Sequence, residues 1–203
     1  MTRNNFRIEI CGIVASGKTT LANMLSLHKI EPTLENFRDN PFWKDFCKDP
    51  SCFMFETEMV FLLQHYHQIK TIRNRCHICD FSIFLDLSYA LLSLYDDKKN
   101  IFTYTVEEVL KEISYPDLVI HLKCDPQVAL DRIKKRGRVE ECNINLSFLN
   151  ELNLSIETQL DKYISNNVIR LNSSEIDFTS NNSNIENIMI EINNIFNVKM
   201  EQD

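Results

Sequence analysis

Short apolar runs alternate along the chain with longer segments in which apolar residues recur every three or four positions. The short runs predict strands at 6–11, 30–32, 76–79, 118–122 and 168–171, the second of them ending at Glu31-Pro32. The longer segments predict amphipathic helices at 20–28, 52–73, 82–95, 105–114, 125–136, 146–163 and 185–196. Strands that alternate with helices are typical of a parallel sheet with helices on both faces. We therefore expect an α/β fold.

Polar stretches between these elements predict loops at 36–50, 97–100 and 172–184. None of these loops is long or biased enough to separate two domains. A chain of 203 residues also suits one domain with a full core. We expect a single domain that spans 1–203.

Charge and composition narrow the possible partners. The net charge of −7 argues against a nucleic-acid binder, which usually carries a basic face. No apolar run approaches the length of a membrane span, and the N-terminal residues lack a secretory pattern. Seven scattered cysteines in a chain of this size are typical of a reduced protein. We expect a cytoplasmic protein that contacts neither nucleic acid nor membrane.

One motif carries most of the chemical information. Residues 12–19 match G-x-x-x-x-G-K-[ST], directly after a predicted strand and before a predicted helix. Backbone N–H groups of such a loop wrap a phosphate chain, helped by the positive end of the helix. Lys18 is expected to reach the outer phosphates, and Thr19 to offer its hydroxyl to Mg²⁺. The predicted nucleotide-binding residues here are Gly12, Ala15, Ser16, Gly17, Lys18, Thr19 and Thr20.

Two carboxylates follow predicted strands at the edge where parallel sheets bind ligands. Glu31 ends the second strand and Asp80 follows the third. Phosphoryl transfer needs a carboxylate that positions or deprotonates the acceptor, and another that helps to hold Mg²⁺. Glu31 is the candidate for the first role and Asp80 for the second. The alternatives are a solvated loop charge for Glu31 and a helix cap for Asp80.

The densest positive cluster consists of Arg132, Lys134, Lys135, Arg136 and Arg138. An exposed helix face is the simplest explanation of such a run. Gly137, however, breaks the predicted helix inside the cluster, which favours a flap that closes over phosphates and excludes water. Arginines of this flap are expected to form charge-assisted hydrogen bonds to phosphate oxygens.

These features together resemble the deoxyribonucleoside kinases, in the branch that contains the bacterial deoxyadenosine and deoxyguanosine kinases. The resemblance covers nearly the whole chain, and its short pieces are specific through their order and spacing. They are the loop at 12–19, Glu31-Pro32, Asn40-Pro41-Phe42, Lys48-Asp49-Pro50, Phe61-Leu62, Asp80-x-Ser82, Pro116-Asp117-Leu118, Arg132-Ile133-x-x-Arg136-Gly137-Arg138-x-Glu140-Glu141, and Leu171-Asn172 with Asp177-Phe178.

The resemblance implies a P-loop kinase fold with a five-stranded parallel sheet, helices on both faces and an Arg-rich lid at about 133–145. It also implies ATP and Mg²⁺ as cofactors, a nucleoside-type acceptor and a homodimer. By it, Glu31 is the base that accepts the proton of the sugar 5′-hydroxyl, and Asp80 helps to hold Mg²⁺. The remaining implied contacts are Arg136 and Arg138 to phosphates, Glu141 to the sugar, and Arg132, Asp177 and Phe178 to ATP.

Three positions depart from the family pattern on the acceptor side. Phe81 stands where relatives usually have Arg, Glu58 where they usually have a base-reading Gln, and Cys47 where they often have Tyr. A carboxylate only accepts hydrogen bonds unless it is protonated, so Glu58 would suit a base edge with two donors, as in guanine. His65 shares the helix face of Glu58 and is predicted to pair with Asp86 across the pocket. The alternatives are that Glu58 and His65 are polar positions on a half-exposed helix, and that Phe81 only packs.

The sequence therefore predicts an ATP-dependent kinase of the 5′-hydroxyl of a (deoxy)nucleoside, with purines weakly favoured. One alternative is a P-loop kinase of a nucleoside monophosphate or of another small metabolite. The other is a catalytically weak nucleotide-binding subunit, which the changes at Cys47 and Phe81 would favour.

Overall fold

A parallel sheet forms the centre of the protein. The computed structural model describes residues 6–72, 76–141, 143–164, 166–176, 178 and 182–202. Within them lie five strands, β1 Phe6–Cys11, β2 Glu31–Thr33, β3 Cys76–Cys79, β4 Leu118–Lys123 and β5 Val168–Asn172. They form one parallel sheet in the order β2-β3-β1-β4-β5. The predicted five-stranded parallel sheet is confirmed for this part of the chain.

Helices connect the strands. In the described residues they are α1 Lys18–Ser26, α2 Trp43–Lys48, α3 Pro50–Thr71, α4 Ile83–Ser93, α5 Asp96–Ile113, α6 Pro126–Arg136, α7 Leu146–Tyr163 and α8 Asn182–Gln202, with 3₁₀ segments at Phe37–Asp39 and Val139–Glu141. Side-chain caps fix four of the starts in the described residues, because a side chain accepts a backbone hydrogen bond at each of them. The caps are Asp49 before α3, Ser82 before α4, Asp125 before α6 and Asn145 before α7. No helix among the described residues is both long and apolar enough to cross a membrane.

Alternate residues of the strands face two separate apolar clusters. Ile8 and Ile10 of β1 belong to the cluster that α1 and α8 complete. Cys11 of β1 and Val119 of β4 belong to the other cluster, which helices including α4, α5 and α7 complete. Both faces of the sheet are therefore covered by helices, as the predicted α/β fold requires.

A buried ion pair ties the first strand to two helices. Arg7 Nε lies 3.0 Å from Glu9 Oε1, and both side chains are almost fully buried. Glu9 Oε2 accepts hydrogen bonds from Ser82 Oγ (2.9 Å) and from the first backbone N–H of α4 (3.2 Å). Arg7 donates to the carbonyls of Ile113 and Ser114 at the end of α5. The pair therefore fixes both helices against the sheet.

Removing Arg7 is expected to destabilise the protein strongly. In Arg7→Met the Glu9 carboxylate stays buried without its cation, and breaking a buried pair in this way costs about 3–5 kcal/mol. Denaturant unfolding measures this loss of free energy of unfolding. The control is Lys111→Met, which breaks the exposed pair between Lys111 and Glu108 and should leave that free energy nearly unchanged. Equal losses in the two variants would contradict the role assigned to Arg7.

Two predicted loops are partly helical. The loop prediction at 97–100 is wrong, because α5 begins at Asp96, where Asp96 and Asp97 complement the positive end of the helix dipole. The loop predicted at 36–50 contains α2, which is anchored by aromatic packing. The Trp43 ring lies 5.4 Å from the Phe46 ring and 5.7 Å from the Phe61 ring, measured between centroids. This packing stabilises a helix that is too short to persist alone. The spacing of apolar residues along the sequence does not reveal it.

Candidate active site

The loop at 12–19 requires its two glycines. A Cβ atom on Gly12 would lie 2.7 Å from Ser16 Oγ and 2.8 Å from the Leu122 carbonyl oxygen, closer than packed atoms approach. Gly17 has a φ of +103°, which other residues rarely adopt, and it immediately precedes α1. The loop thus ends at a helix N-terminus, where backbone N–H groups and the helix dipole favour an anion.

Lys18 lies folded over this loop. Its Nζ donates hydrogen bonds to the carbonyl oxygens of Gly12 (3.0 Å) and Ile13 (3.3 Å). Burial lowers the pKa of Lys18, while the nearby carboxylates of Glu35 and Asp80 act in the opposite direction. A lysine held in this way is positioned to bind the outer phosphates of a nucleotide, as the motif predicts.

Thr19 and Asp80 meet beside the loop. Thr19 Oγ1 donates a hydrogen bond of 2.6 Å to Asp80 Oδ2. In the described part of the chain, no group of three or more His, Cys, Asp or Glu side chains could hold a metal ion. Mg²⁺ at nucleotide sites, however, takes one or two protein oxygens and completes its shell with phosphates and waters. A hydroxyl and a carboxylate in contact are therefore a donor set that fits Mg²⁺.

A cavity of about 930 Å³ opens at this edge of the sheet. One part, which we call the phosphate half, is lined by residues 14–20 and by Arg132, Arg136, Arg138, Glu141 and Phe178. The other part, which we call the acceptor half, is lined by Cys47, Glu58, His65, Phe81 and Asp86. The structure therefore brings most of the residues singled out in the sequence to one cavity. Gly12, the first residue of the loop, does not line it.

Glu31 does not line this cavity either, contrary to the placement that the sequence predicted. The sequence predicted a strand that ends at Glu31, but β2 begins there and continues to Thr33, paired with β3. This is possible because Pro32 is tolerated in an edge strand. Glu31 therefore lies before the carboxyl end of the strand, and it is exposed. The carboxylate that the structure brings to the cavity from this region is Glu35.

Glu35 was not among the residues predicted for the site. Its backbone N–H donates to Asp80 Oδ1 (2.6 Å), which fixes the segment after β2 beside Thr19. Its carboxylate lies 3.7 Å from His65 Nε2, and the side chain is 33% exposed. Burial raises the pKa of Glu35, while His65 and Lys18 lower it. Glu35 is an acidic residue just past the carboxyl end of β2, where parallel sheets bind ligands. The sequence could have indicated it only if the strand had been known to end at Thr33.

His65 is enclosed on all sides within the acceptor half. Its Nδ1 lies 2.8 Å from Asp86 Oδ2, so the predicted contact between the two side chains is present. The Phe81 ring is stacked on the imidazole with 3.9 Å between centroids and 7° between planes. Phe81 therefore packs as well as lining the cavity. Burial lowers the pKa of His65, but the contact with Asp86 and the nearby carboxylates of Glu35 and Glu9 together raise it above its ordinary value.

Glu58 is buried in the wall of the acceptor half, with 7% of its surface exposed. Within the described residues it has no hydrogen-bond or ion-pair partner. Burial holds the pKa of Glu58 well above its ordinary value, and the carboxylates of Asp86 and Glu35 add to the rise. A protonated Glu58 both donates and accepts a hydrogen bond. Glu58 is therefore not a carboxylate that only accepts hydrogen bonds. The number of hydrogen bonds that it can donate and accept depends on pH.

The arginines at the end of α6 are held by Glu141. Arg136 donates two hydrogen bonds to the Glu141 carboxylate, and Arg138 Nη1 lies 3.5 Å from Glu141 Oε1. The Arg138 guanidinium also lies over the Phe37 ring, 5.5 Å from its centroid. Gly137 has a φ of +64° between the two arginines and ends the helix there, as predicted. Phe37, which was not predicted for the site, therefore links the segment after β2 to the basic cluster.

Arg132 and Phe178, which were predicted to contact ATP, both lie against the loop. Arg132 donates to the carbonyl oxygens of Ala15 (3.3 Å) and Ser173 (2.8 Å). Phe178 is buried, and its ring lies 3.4 Å from the position that a Cβ on Gly17 would take. Arg132 thereby joins the loop to the segment after β5. Asp177, predicted to contact ATP, lies outside the described residues.

Known proteins are similar to this chain in both sequence and fold. Residues 8–197 match the family model described as deoxynucleoside kinase. The chain is 32% identical over 179 residues to the deoxyadenosine kinase of Dictyostelium discoideum, across 83% of this chain and 72% of that protein. It is 27% identical over 196 residues to the deoxyguanosine kinase of Bacillus subtilis strain 168, across 91% and 95%. A solved structure of deoxyadenosine kinase from M. mycoides with bound dCTP matches with a TM-score of 0.77 and 26% identity, across 93% of this chain and 100% of that chain.

Proposed function

Since this chain belongs to the deoxynucleoside kinase family, we propose that it transfers the γ-phosphate of ATP to the 5′-hydroxyl of a deoxynucleoside. Nucleoside kinase activity and the use of ATP follow from the family. The acceptor and the roles of individual residues are the proposal. Relatives named for deoxyadenosine and for deoxyguanosine support a purine deoxynucleoside as the acceptor.

One observation carries the proposal, namely that Glu35 lies in the same cavity as Lys18 and the contact between Thr19 and Asp80. The backbone of Glu35 is bonded to Asp80, so a base and a phosphate site are fixed to each other. Phosphoryl transfer needs this combination, because catalysis consists mainly of positioning the acceptor oxygen in line with the phosphate.

The reaction follows from these positions. The Glu35 carboxylate accepts the proton of the 5′-hydroxyl as the 5′-oxygen forms its bond to the γ-phosphorus. The bond from the γ-phosphorus to the bridging oxygen breaks, and ADP leaves with that electron pair. Lys18 stabilises the negative charge on the phosphate oxygens. Glu35 must be ionised before each turnover.

Thr19 and Asp80 are the residues that would hold Mg²⁺. The ion, when bound, neutralises the charge that develops on the β- and γ-phosphates. The residues at about 133–145 act as a lid in this proposal. Arg136 and Arg138 exchange part of their contact with Glu141 for phosphate oxygens when ATP is bound, and Glu141 is then available to the sugar.

The distribution of charge supports a nucleoside over a nucleoside monophosphate as the acceptor. The arginines and Lys18 line the phosphate half, whereas Glu58 and Asp86 line the acceptor half. A monophosphate would bring a second anion beside the Asp86 carboxylate, and like charges in an enclosed site repel strongly. A neutral sugar hydroxyl avoids this repulsion.

An acceptor panel tests the proposal. The protein is incubated with labelled ATP and, one at a time, each common nucleoside, deoxynucleoside and nucleoside monophosphate. We expect transfer to at least one purine deoxynucleoside, and much slower transfer to every monophosphate. Transfer to monophosphates alone would support the alternative metabolite kinase. ATP binding with no transfer to any acceptor would support a catalytically weak subunit.

Glu58→Gln is expected to remove a pH dependence of base selection. In the wild type, the ratio of kcat/KM for deoxyguanosine to that for deoxyadenosine should rise with pH, because ionised Glu58 accepts from both donors of guanine. A raised pKa means that this change occurs above the ordinary range for a glutamate. An amide keeps one donor and one acceptor at every pH, so the ratio should be flat in the variant.

The size of this effect follows from the cost of an unpaired buried group, about 1–3 kcal/mol, which corresponds to a change in the ratio of about 5- to 150-fold. Steady-state kinetics at pH values from 6 up to just below the ionisation of the guanine N1–H measure it. The matched control is Glu56→Gln on the same helix, which lies outside the cavity lining. A wild-type ratio that does not vary with pH, or that varies equally in Glu58→Gln, would place Glu58 outside base recognition.

A further inference from the structure

The ring of Phe37 contacts both halves of the cavity. The guanidinium of Arg138, which lines the phosphate half, lies over this ring at 5.5 Å from its centroid. The Trp43 ring lies 5.4 Å from the Phe37 ring, and Trp43 also packs on Phe61, which is stacked on His65 in the acceptor half. Phe37 therefore lies at the boundary between the two halves, where the phosphate passes from donor to acceptor.

Hydrogen bonds fix the backbone on both sides of Phe37. Two residues earlier, the Glu35 N–H donates to Asp80 Oδ1 (2.6 Å). Three residues later, the buried side chain of Asn40 donates to the Thr57 carbonyl oxygen in α3 (2.9 Å). The Asn40 N–H also donates to the Phe37 carbonyl oxygen (3.3 Å). The ring is thus carried by a segment that is tied to the sheet at one end and to α3 at the other.

Arg138, by contrast, lies in an open part of the structure. It directly follows Gly137, which ends α6, and no atom of the described residues lies within 4 Å of the position that a Cβ on Gly137 would take. The Arg138 side chain is 46% exposed, and its Nη1 lies 3.5 Å from Glu141 Oε1. An exposed arginine has many rotamers, so a fixed ring beside it restricts where the guanidinium lies.

A contact with a ring suits this purpose, because it requires no oxygen acceptor. The negative face of an aromatic ring attracts a cation electrostatically within about 6 Å. The five N–H donors of Arg138 therefore remain available for hydrogen bonds to oxygen. Glu141 competes with a phosphate for these donors, whereas Phe37 does not.

We propose that Phe37 is a positioning residue, whose ring holds the Arg138 guanidinium at the boundary of the two halves so that it stabilises the phosphoryl group during transfer. The inference rests on the proposed function, in which Arg138 binds phosphate oxygens. It assigns Phe37 no contact with the reacting atoms. Because Glu35 and Phe37 belong to one segment, the same piece of chain carries the proposed base and positions the arginine.

A double-mutant cycle on kcat tests the coupling of the two side chains. Phe37→Leu keeps an apolar side chain without a ring face, and we expect kcat to fall about 5- to 30-fold, as for a partly or fully desolvated cation–π contact. Phe37→Tyr keeps the ring face and should stay within about twofold of the wild type. Arg138→Gln should lower kcat by about 10²–10³-fold. Adding Phe37→Leu to Arg138→Gln should then cause no further loss.

The split between kcat and KM separates positioning from packing. If Phe37 only packed on Trp43, Phe37→Leu would raise the KM for the deoxynucleoside, and the loss would persist in the Arg138→Gln background. The matched control is Arg38→Gln. Arg38 lies over the same ring at 5.5 Å but is not among the described residues that line the cavity, so this variant should keep the wild-type kcat.

Three kinetic results would overturn the proposal. They are losses that multiply in the double variant, a Phe37→Leu variant with a kcat equal to or above that of the wild type, and an Arg138→Gln variant with the wild-type kcat. Circular dichroism confirms that each variant is folded before its rates are compared.

The contact itself can be measured without turnover. An aromatic ring shifts the proton magnetic resonance signals of a group that lies over its face. The Arg138 side-chain signals, assigned by their absence in Arg138→Gln, should therefore move in Phe37→Leu and keep their positions in Phe37→Tyr. Signals that are the same in the wild type and in Phe37→Leu would overturn the proposal.

These experiments separate a failure of the inference from a failure of the proposed function. If the wild-type protein phosphorylates no deoxynucleoside, the proposed function fails and the role of Phe37 fails with it, even where the spectra show the contact. If deoxynucleosides are phosphorylated and the losses multiply in the double variant, the function stands and only the role of Phe37 fails.

Discussion

Glu35→Gln is expected to lower kcat by about 10²–10⁴-fold, the usual contribution of a general base. The amide keeps the size of the side chain but cannot take the proton of the 5′-hydroxyl. Because the backbone N–H of Glu35, not its carboxylate, makes the bond to Asp80, the segment after β2 should keep its place. The KM for ATP should therefore change little.

Single-turnover or steady-state phosphorylation of the preferred deoxynucleoside measures this effect, with circular dichroism as the check of folding. The matched comparison is Glu31→Gln, since Glu31 is an exposed carboxylate four positions earlier in the chain. The structure predicts that its kcat stays within about twofold of the wild type, as for surface substitutions away from special features. The reverse pattern, with Glu31→Gln inactive and Glu35→Gln active, would return the role of base to Glu31.

Lys18→Ala is expected to lower kcat by about 10³-fold or more, because cationic groups that stabilise a transferring phosphoryl are worth about 10³–10⁵ in rate. The variant loses the charge that lies over the loop, together with the hydrogen bonds to Gly12 and Ile13. Those bonds join groups within the loop and not separate elements, so the global fold should survive.

Initial rates at saturating ATP measure this loss, and thermal unfolding checks that the protein is folded. Lys134→Ala is the control, since Lys134 lies on the exposed end of α6 and does not line the cavity. It should retain nearly full activity. A folded Lys18→Ala variant with wild-type kcat would show that the loop does not hold the transferred phosphate.

The sequence alone predicted the donor side of the site well. Each fixed residue of the loop at 12–19 has one physical reason. Gly12 allows a close contact, Gly17 adopts a positive φ, and Lys18 supplies positive charge for the phosphates. Requirements of this kind can be recognised in a single sequence, so most of the residues that line the phosphate half, though not Val14, were predicted one by one. The β1 strand was predicted from its apolar run, and the start of α4 was predicted because the helix pattern follows a capping residue, Ser82.

The acceptor side was predicted less completely, because the end of strand β2 was placed wrongly. Glu31 and Glu35 are both acids near a short edge strand, and only the pairing of Thr33 with β3 tells which one reaches the carboxyl edge. Hydrogen-bond register is set by tertiary structure and not by the three residues of β2. The enclosure of Glu58 is also tertiary, and it changes the chemistry expected of its carboxyl.

His65 shows a further limit of reading one chain. Helix periodicity placed it on the face of Glu58, and its contact with Asp86 across the pocket was predicted. Its position against Glu35 and between two aromatic rings depends on the packing of three separate segments. Phe81 stands where relatives usually have an arginine, and in the structure the imidazole of His65 is stacked on the Phe81 ring.

The central claim is that the γ-phosphate of ATP goes to the 5′-oxygen of a deoxynucleoside. The most direct measurement incubates the wild-type protein with γ-labelled ATP and deoxyadenosine or deoxyguanosine, beside the same compounds without their 5′-hydroxyl. We predict that the label appears in a deoxynucleoside 5′-monophosphate and that the analogues remain unlabelled. Label transferred to the analogues, or to no deoxynucleoside by protein that binds ATP, would contradict the claim.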